Sequence, residues 1–144
     1  MVNQELEKRV LVVDDSDDIR EFCIKNGQGI VDAPEISLHP WMAPPNGPGI
    51  AKLEEALRSR KYAVILMDGN LGYSHEDGSK IVEQIRSSER FGTLNRETRI
   101  IGFSSSLNII GAEKTPGEIK ILKYPHEEDA KPEVAMRYIQ EHYL

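Results

Sequence analysis

Short apolar runs alternate with amphipathic stretches along this chain. The short runs are rich in β-branched residues and have the length of strands. Three of them are apolar at nearly every position, which is typical of strands buried on both faces. The predicted strands cover 10–13, 36–38, 62–67, 99–103 and 119–122.

Between these runs, apolar residues recur at spacings of three and four, the period of a helix that packs on one face. Ser16 precedes the first such stretch and is of a type that caps helix N-termini well. Further helices are predicted within 50–60 and 79–86 and near 134–139. The segment 105–118 is broken by one proline and two glycines, so the fourth helix should be short or missing.

Strands and helices that alternate in this way predict an α/β fold, a doubly wound parallel sheet of five strands with helices on both faces. The Pro- and Gly-rich segment 39–49 and the polar segment 90–98 are predicted to be loops. In sheets of this kind the functional crevice lies at the carboxyl ends of the strands. The residues that directly follow each strand are therefore the candidates for function.

Length, net charge and cysteine content exclude several classes of function. With 144 residues, the chain is expected to be one domain, 1–144, with no output domain. Its net charge of −6 argues against direct nucleic-acid or membrane-surface binding, and no apolar run reaches the roughly 20 residues of a membrane helix. Cys23 is the single cysteine, which excludes an internal disulfide framework. We therefore expect a cytoplasmic chain, and Cys23 should be a core thiol.

Acidic, hydroxyl and amine side chains follow four of the predicted strands. They are Asp14 and Asp15 after the first strand, Asp68 and Asn70 after the third, Ser104 after the fourth and Lys123 after the fifth. If those strands gather at the centre of the sheet, these groups face one crevice.

These residue types suit phosphoryl transfer that depends on Mg²⁺. Clustered carboxylates repel one another, and oxygen ligands suit a hard ion such as Mg²⁺. A carboxylate can also act as a nucleophile and form an acyl phosphate. The metal, Lys123 and Ser104 would then neutralise the oxygens of the transferred group.

Five segments, in order, resemble the receiver domain of two-component response regulators, the CheY-like family. They are VLVVDD at 10–15, VILMD at 64–68, EDGSKIVEQIR at 76–86, IIGFSS at 100–105 and LKYP at 122–125. The resemblance covers nearly the whole chain. It implies a flavodoxin-like three-layer sandwich with strand order 2-1-3-4-5.

Carried over position by position, the resemblance implies that Asp68 is the phosphoacceptor. It implies that Ser104 binds a phosphoryl oxygen and shifts on activation, and that Lys123 binds the phosphate. The implied Mg²⁺ ligands are Asp14, Asp15, Asp68 and the backbone carbonyl of Asn70.

The chain departs from the family pattern near two of these positions. Gly72 stands where the family usually has a proline, and the loop 69–76 is longer than usual. Tyr124 separates the phosphate-binding lysine from Pro125, and Lys120 stands where the family often has a switch aromatic. The sequence leaves open whether the Tyr124–Pro125 bond is cis and whether phosphorylation competence is retained.

The function implied by the resemblance is that of a single-domain receiver. A sensor histidine kinase or phosphotransfer protein would phosphorylate it, an unknown downstream protein would read its surface, and a homodimer is compatible with this role. It would catalyse its own phosphorylation without being a turnover enzyme.

Two alternatives remain at the level of sequence. The first is a receiver-like module that acts through contacts without phosphorylation. The second is an aspartyl-phosphate phosphatase of haloacid dehalogenase type. Such phosphatases normally carry a second Asp two residues after the nucleophile, where this chain has Asn70.

Overall fold

The structure is a computed structural model of the chain. It describes residues 8–27, 29–36, 48–69, 71, 76–88, 90–102, 136–137, 139–141 and 144. The predicted fifth strand at 119–122 and the fourth-helix segment at 105–118 lie outside the described residues.

Four parallel strands form one sheet in the order β2-β1-β3-β4. They are β1 (Val10–Val13), β2 (Val31–Asp32), β3 (Val64–Met67) and β4 (Arg99–Gly102). Every residue of β1 and β3 is buried, as expected for central strands covered on both faces. The predicted fold class and the order of the first four strands are confirmed.

The second strand lies earlier in the chain than the predicted 36–38, of which only Ile36 is among the described residues. The observed β2 is a two-residue strand at Val31–Asp32, which pairs with Val10 and Leu11. Pro34 follows it closely, and a proline has no N–H to donate to a ladder. Ile36 is buried at 6 % exposure and packs in the core, but it lies outside the sheet. Its apolar character therefore reports core packing rather than strand pairing.

The described helices lie where the apolar period predicts them. They are α1 (Asp17–Asn26), α2 (Ala51–Ser59) and α3 (Asp77–Ser87), and residues 136–137 and 139–141 are also helical. The Ser16 hydroxyl caps α1 by accepting a hydrogen bond from the Ile19 N–H at 3.3 Å, as predicted. A single 3₁₀ turn, Pro48–Ile50, leads into α2.

Two hydrophobic cores lie on opposite faces of the sheet, which makes three layers. One core joins Leu11 and Val13 of β1 to the apolar sides of α2 and α3. The other joins Val10 and Val12 to Cys23 of α1 and to the C-terminal helical residues. Successive residues of a strand point to opposite faces, so both cores hold the same strand in place.

Cys23 is a core thiol, as the sequence indicates. It is fully buried against the sheet. Burial, and secondarily the nearby charge of Asp14, raise the pKa of Cys23 to about 12. The thiol therefore stays protonated and unreactive near neutral pH.

A buried asparagine organises the loop before β4, a role that the sequence analysis missed. Asn95 Oδ1 accepts hydrogen bonds from the Tyr62 N–H at 2.8 Å and the Thr98 hydroxyl at 2.9 Å. Asn95 Nδ2 donates to the carbonyls of Leu57 at 2.9 Å and Arg60 at 2.7 Å. One side chain thus joins the end of α2 to the entries of β3 and β4.

Asp32, the last residue of β2, binds three partners near the amino ends of β1 and β3, opposite the predicted crevice. Its carboxylate accepts hydrogen bonds from Arg9 at 2.6 Å, Tyr62 at 2.7 Å and Arg60 at 3.0 Å. Burial alone would raise the pKa of Asp32, but the bonds from Arg9 and Tyr62 and the two arginine charges outweigh it, so the pKa is lowered. Burial and the neighbouring Asp32 carboxylate raise the pKa of Tyr62.

We predict that Asn95→Ala destabilises the fold by about 2 kcal/mol, because the buried Tyr62 N–H loses its acceptor, two carbonyls lose the amide donor, and the Thr98 hydroxyl keeps only the Tyr62 carbonyl. Asn26→Ala is the control: Asn26 is exposed and makes one side-chain bond, to the Phe22 carbonyl. Its substitution should change stability by less than about 0.5 kcal/mol. Urea unfolding of both variants measures the difference, and equal losses would contradict the prediction.

We predict that the free energy of unfolding of Asp32→Asn falls less steeply with decreasing pH than that of the wild type. Because the folded pKa of Asp32 lies below the ordinary value of 3.8, its ionised form contributes stability above that pH, and the contribution is lost as the pH falls through the folded pKa. The variant should be less stable at pH 6 and lose less on acidification. Asn26→Ala, which removes no titratable group, should keep the wild-type slope; the measurement is urea unfolding between pH 6 and 2.5.

Candidate functional site

Three carboxylates meet at the carboxyl ends of β1 and β3. Oxygen atoms of Asp14, Asp15 and Asp68 all lie within 4.8 Å of one another. Val13 pairs with Met67 in the parallel register, and the Asp68 N–H donates to the Val13 carbonyl at 2.9 Å. The last ladder contact thus places the first residue past β3 beside the first residue past β1.

Two of the three acids are buried. Asp14 is 1 % and Asp68 2 % exposed, whereas Asp15 is exposed. Buried carboxylates are uncommon in folded proteins unless they are paired or bind metal. The cluster therefore has an inner side made by the sheet and an outer side that reaches solvent at Asp15.

The start of α1 fixes Asp14. The Ser16 N–H donates to Asp14 Oδ1 at 2.8 Å, while the Ser16 hydroxyl caps the helix. Asp17 and Asp18 occupy the first turn and are exposed, where negative charge is favoured by the helix dipole. Only Asp14 and Asp15 of this acidic run belong to the carboxylate cluster.

Arg20 lies against the same turn, and the sequence analysis did not single it out. It is 7 % exposed. Its Nη1 donates to the Asp14 carbonyl at 3.0 Å, and its Nη2 forms an ion pair with Asp17. The three-residue spacing of Asp17 and Arg20 on one helix is the only sequence signal of this contact.

The first turn of α3 supports Asp68 from the other side. The Gly78 N–H donates to the Gly69 carbonyl at 2.8 Å. A Cβ atom at Gly78 would lie 2.3 Å from the Asp68 carbonyl oxygen, so only glycine permits this approach. Asp77 is fully buried, and its Oδ2 accepts from the Leu71 N–H at 3.0 Å. The helix start thus holds the main chain on both sides of residue 70.

The cluster can hold a hard divalent cation. All of its donors are carboxylate oxygens, the set that Mg²⁺ prefers, and its exposed side leaves access for the waters that Mg²⁺ usually keeps. A cation would also offset the mutual repulsion of three negative charges held this close. The residues present therefore fit Mg²⁺, with Asp14, Asp15 and Asp68 as the groups that would hold it.

The remaining predicted site residues lie outside the described residues. They are Asn70, Ser104 and Lys123, together with the departures at Gly72, Lys120, Tyr124 and Pro125. Their implied roles stay predictions. Of the implied site, the structure brings together the three carboxylates.

Searches of known proteins find likeness in structure but not in sequence. No protein-family model matches the chain, and no curated protein sequence does. Two solved structures of CheY4 from Vibrio cholerae are similar to it, one described as a chemotaxis protein crystallised at pH 4.0 and one as a chemotaxis response regulator. The first has a TM-score of 0.55 and 19 % identity, and covers 95 % of this chain and 98 % of CheY4. The second has a TM-score of 0.54 and 19 % identity, and covers 93 % and 97 %.

This protein therefore has the CheY-like receiver fold, and the fold implied by the sequence resemblance is confirmed. The match spans almost the full length of both chains, and the strand order agrees with the doubly wound sheet. In the described part of the chain, no helix is long and apolar enough to span a lipid bilayer.

We predict that Gly78→Ala weakens both the fold and the site. The new Cβ must displace the Asp68 main chain, which should cost roughly 1–3 kcal/mol in stability and lower the affinity for Mg²⁺. The measurements are urea unfolding and calorimetric Mg²⁺ titration.

Gly27→Ala is the matched control for this variant. A Cβ at Gly27 would lie 2.1 Å from Val31 Cγ2, but this clash is at the far end of α1. The control should lose comparable stability and keep the wild-type Mg²⁺ affinity. Equal effects of both variants on Mg²⁺ affinity would show that Gly78 has no specific effect on the site.

Proposed function

We propose that this protein is a response-regulator receiver that accepts a phosphoryl group on Asp68 in a reaction that depends on Mg²⁺. The observation that carries the proposal is the placement of Asp68 beside Asp14 and Asp15, with the three carboxylates within 4.8 Å. The receiver fold supports it, because the cluster lies at the carboxyl edge of a doubly wound sheet, where such folds place their sites.

The proposed reaction is an in-line transfer from phosphohistidine. A carboxylate oxygen of Asp68 attacks the phosphorus, the P–N bond of the donor breaks, and its electron pair stays on the imidazole nitrogen, which takes up a proton. When bound, Mg²⁺ would neutralise charge on the transferred group. Asp14 and Asp15 would hold the cation, and the hydrogen bond from the Asp68 N–H to the Val13 carbonyl keeps Asp68 in place for the attack.

Ser104 and Lys123 complete the proposal as expectations from the family resemblance. The hydroxyl of Ser104 would bind one phosphoryl oxygen, and the ammonium of Lys123 would pair with another. Asn70 would offer its backbone carbonyl to the metal. Phosphorylation then signals by shifting a population between two states, which requires that the phosphoryl group interact better with one of them.

The proposed partners are a sensor histidine kinase or phosphotransfer protein as donor and a downstream protein as reader. The chain would act as a self-phosphorylating acceptor rather than as a turnover enzyme. We place it in the cytoplasm, whose reducing conditions suit a chain with one buried thiol, Cys23.

We predict that incubation with Mg²⁺ and acetyl phosphate adds one phosphoryl group, seen by intact-mass spectrometry. Asp68→Asn should abolish the adduct, because the amide cannot form an acyl phosphate. EDTA should prevent it, and hydroxylamine should remove it. Asp18→Asn, an exposed acid at the start of α1 that lies outside the cluster, should keep it.

Other outcomes separate the alternatives. An adduct that persists in Asp68→Asn would place the acceptor elsewhere. The absence of both an adduct and Mg²⁺-dependent beryllofluoride binding would favour a module that acts through contacts alone. Rapid hydrolysis of many phosphomonoesters would point to the phosphatase.

A further inference from the structure

We propose that Arg20 is a positioning residue of the carboxylate cluster, and that its guanidinium raises the affinity of the site for Mg²⁺ by fixing the main chain at Asp14. This role rests on the proposed function, because it matters only if the cluster binds Mg²⁺. Arg20 does not touch the cation; it acts through the peptide that carries the ligands.

Because Arg20 is buried, its N–H groups need hydrogen-bond acceptors within the protein. It is the one buried cation among the described residues, and a buried guanidinium is costly unless its charge is paired and its N–H groups are bonded. Here Nη1 donates to the Asp14 carbonyl at 3.0 Å, and Nη2 pairs with Asp17. The planar guanidinium can serve both acceptors at once.

The position of the carbonyl that accepts from Arg20 affects both Asp14 and Asp15. This carbonyl belongs to the peptide that joins Asp14 to Asp15, and a peptide moves as one planar unit. Rotation of that plane would move both residues. On the other side, the Ser16 N–H already holds Asp14 Oδ1 at 2.8 Å. Arg20 and Ser16 therefore hold the turn at two points, and the loss of Arg20 removes one of these restraints.

The surroundings of Arg20 allow it to be replaced without overpacking. A cavity of about 360 Å³ opens beside it, lined also by Glu35, Ile36 and Lys52. A shorter unbranched side chain can adopt its preferred rotamers beside this space. The effects of substitution should therefore come from the lost bonds rather than from steric strain.

The test measures the dissociation constant for Mg²⁺ by isothermal titration calorimetry. Arg20→Met removes both bonds, keeps an unbranched apolar stem and should weaken binding about tenfold, the lower end of the range for groups that orient metal ligands. Arg20→Lys restores one donor but cannot serve both acceptors equally, so its affinity should lie in between.

The chain offers a matched control in Arg9. Its Nη2 pairs with Asp32 at 2.6 Å and its Nη1 donates to the Gly29 carbonyl at 2.9 Å, the same two kinds of contact at the opposite end of the sheet. Arg9→Met should lower stability and leave Mg²⁺ affinity unchanged. A general loosening of the fold would instead weaken binding in both variants.

The outcomes are distinct. Tenfold weaker binding in Arg20→Met, partial rescue by Arg20→Lys and normal binding in Arg9→Met support the positioning role. Wild-type affinity in Arg20→Met, or equal losses in the Arg9 and Arg20 variants, overturns that role and leaves the proposed function standing. A wild-type protein that does not bind Mg²⁺ overturns both.

Should Arg20→Met fail to fold, Arg20→Lys carries the test. An affinity for Mg²⁺ lowered by a factor of roughly three or more would support the role. A lysine cannot donate to both acceptors in the fixed geometry of a guanidinium. An affinity equal to that of the wild type would overturn it.

Discussion

The parallel pairing of β1 with β3 is the constraint on which the site depends. Both strands are buried along their whole length, and each contributes alternate residues to the two cores. A slip of one residue would turn every side chain of a strand to the wrong face, so packing fixes the register. That register places Asp68 beside Asp14. The spacing of the carboxylates is thus set by hydrophobic packing rather than by the carboxylates themselves, which repel one another.

Two of the three contacts described around the cluster are made to main-chain carbonyls. The Ser16 N–H holds a carboxylate oxygen of Asp14, but Arg20 holds the Asp14 carbonyl, and Gly78 holds the Gly69 carbonyl. Hydrogen bonds to main-chain carbonyls fix the backbone position of a residue and leave its carboxylate oxygens available to a cation. The two helices that start at this edge, α1 and α3, supply all three contacts. The site therefore depends on where these helices begin.

The sequence predicted those features that local pattern determines. Continuous apolar runs identified β1 and β3, and acidic residues at their ends identified the cluster. The pattern misplaced the second strand, because a two-residue edge strand buries too little surface to leave a signal and Ile36 is buried for another reason. It also missed Asn95, whose partners include the Leu57 carbonyl, 38 positions away. Contacts that join distant segments leave no periodic trace in a single sequence, so such roles become visible only in the fold.

Hydrogen-bond networks lie at the amino end of the sheet, whereas the candidate site lies at its carboxyl end. At the amino ends, Asp32 lies among two arginines and a tyrosine, and Asn95 has its hydrogen-bonding groups occupied. At the carboxyl ends, three carboxyl groups lie together, and the mutual repulsion of their ionised forms would oppose folding. A cation that binds only the folded state would offset this repulsion in proportion to its occupancy. The hydrogen bonds at the far end use residues other than the three carboxylates, so a cation in the crevice need not disturb them. A change in the occupancy of the site would then leave the hydrogen bonds at the amino ends in place.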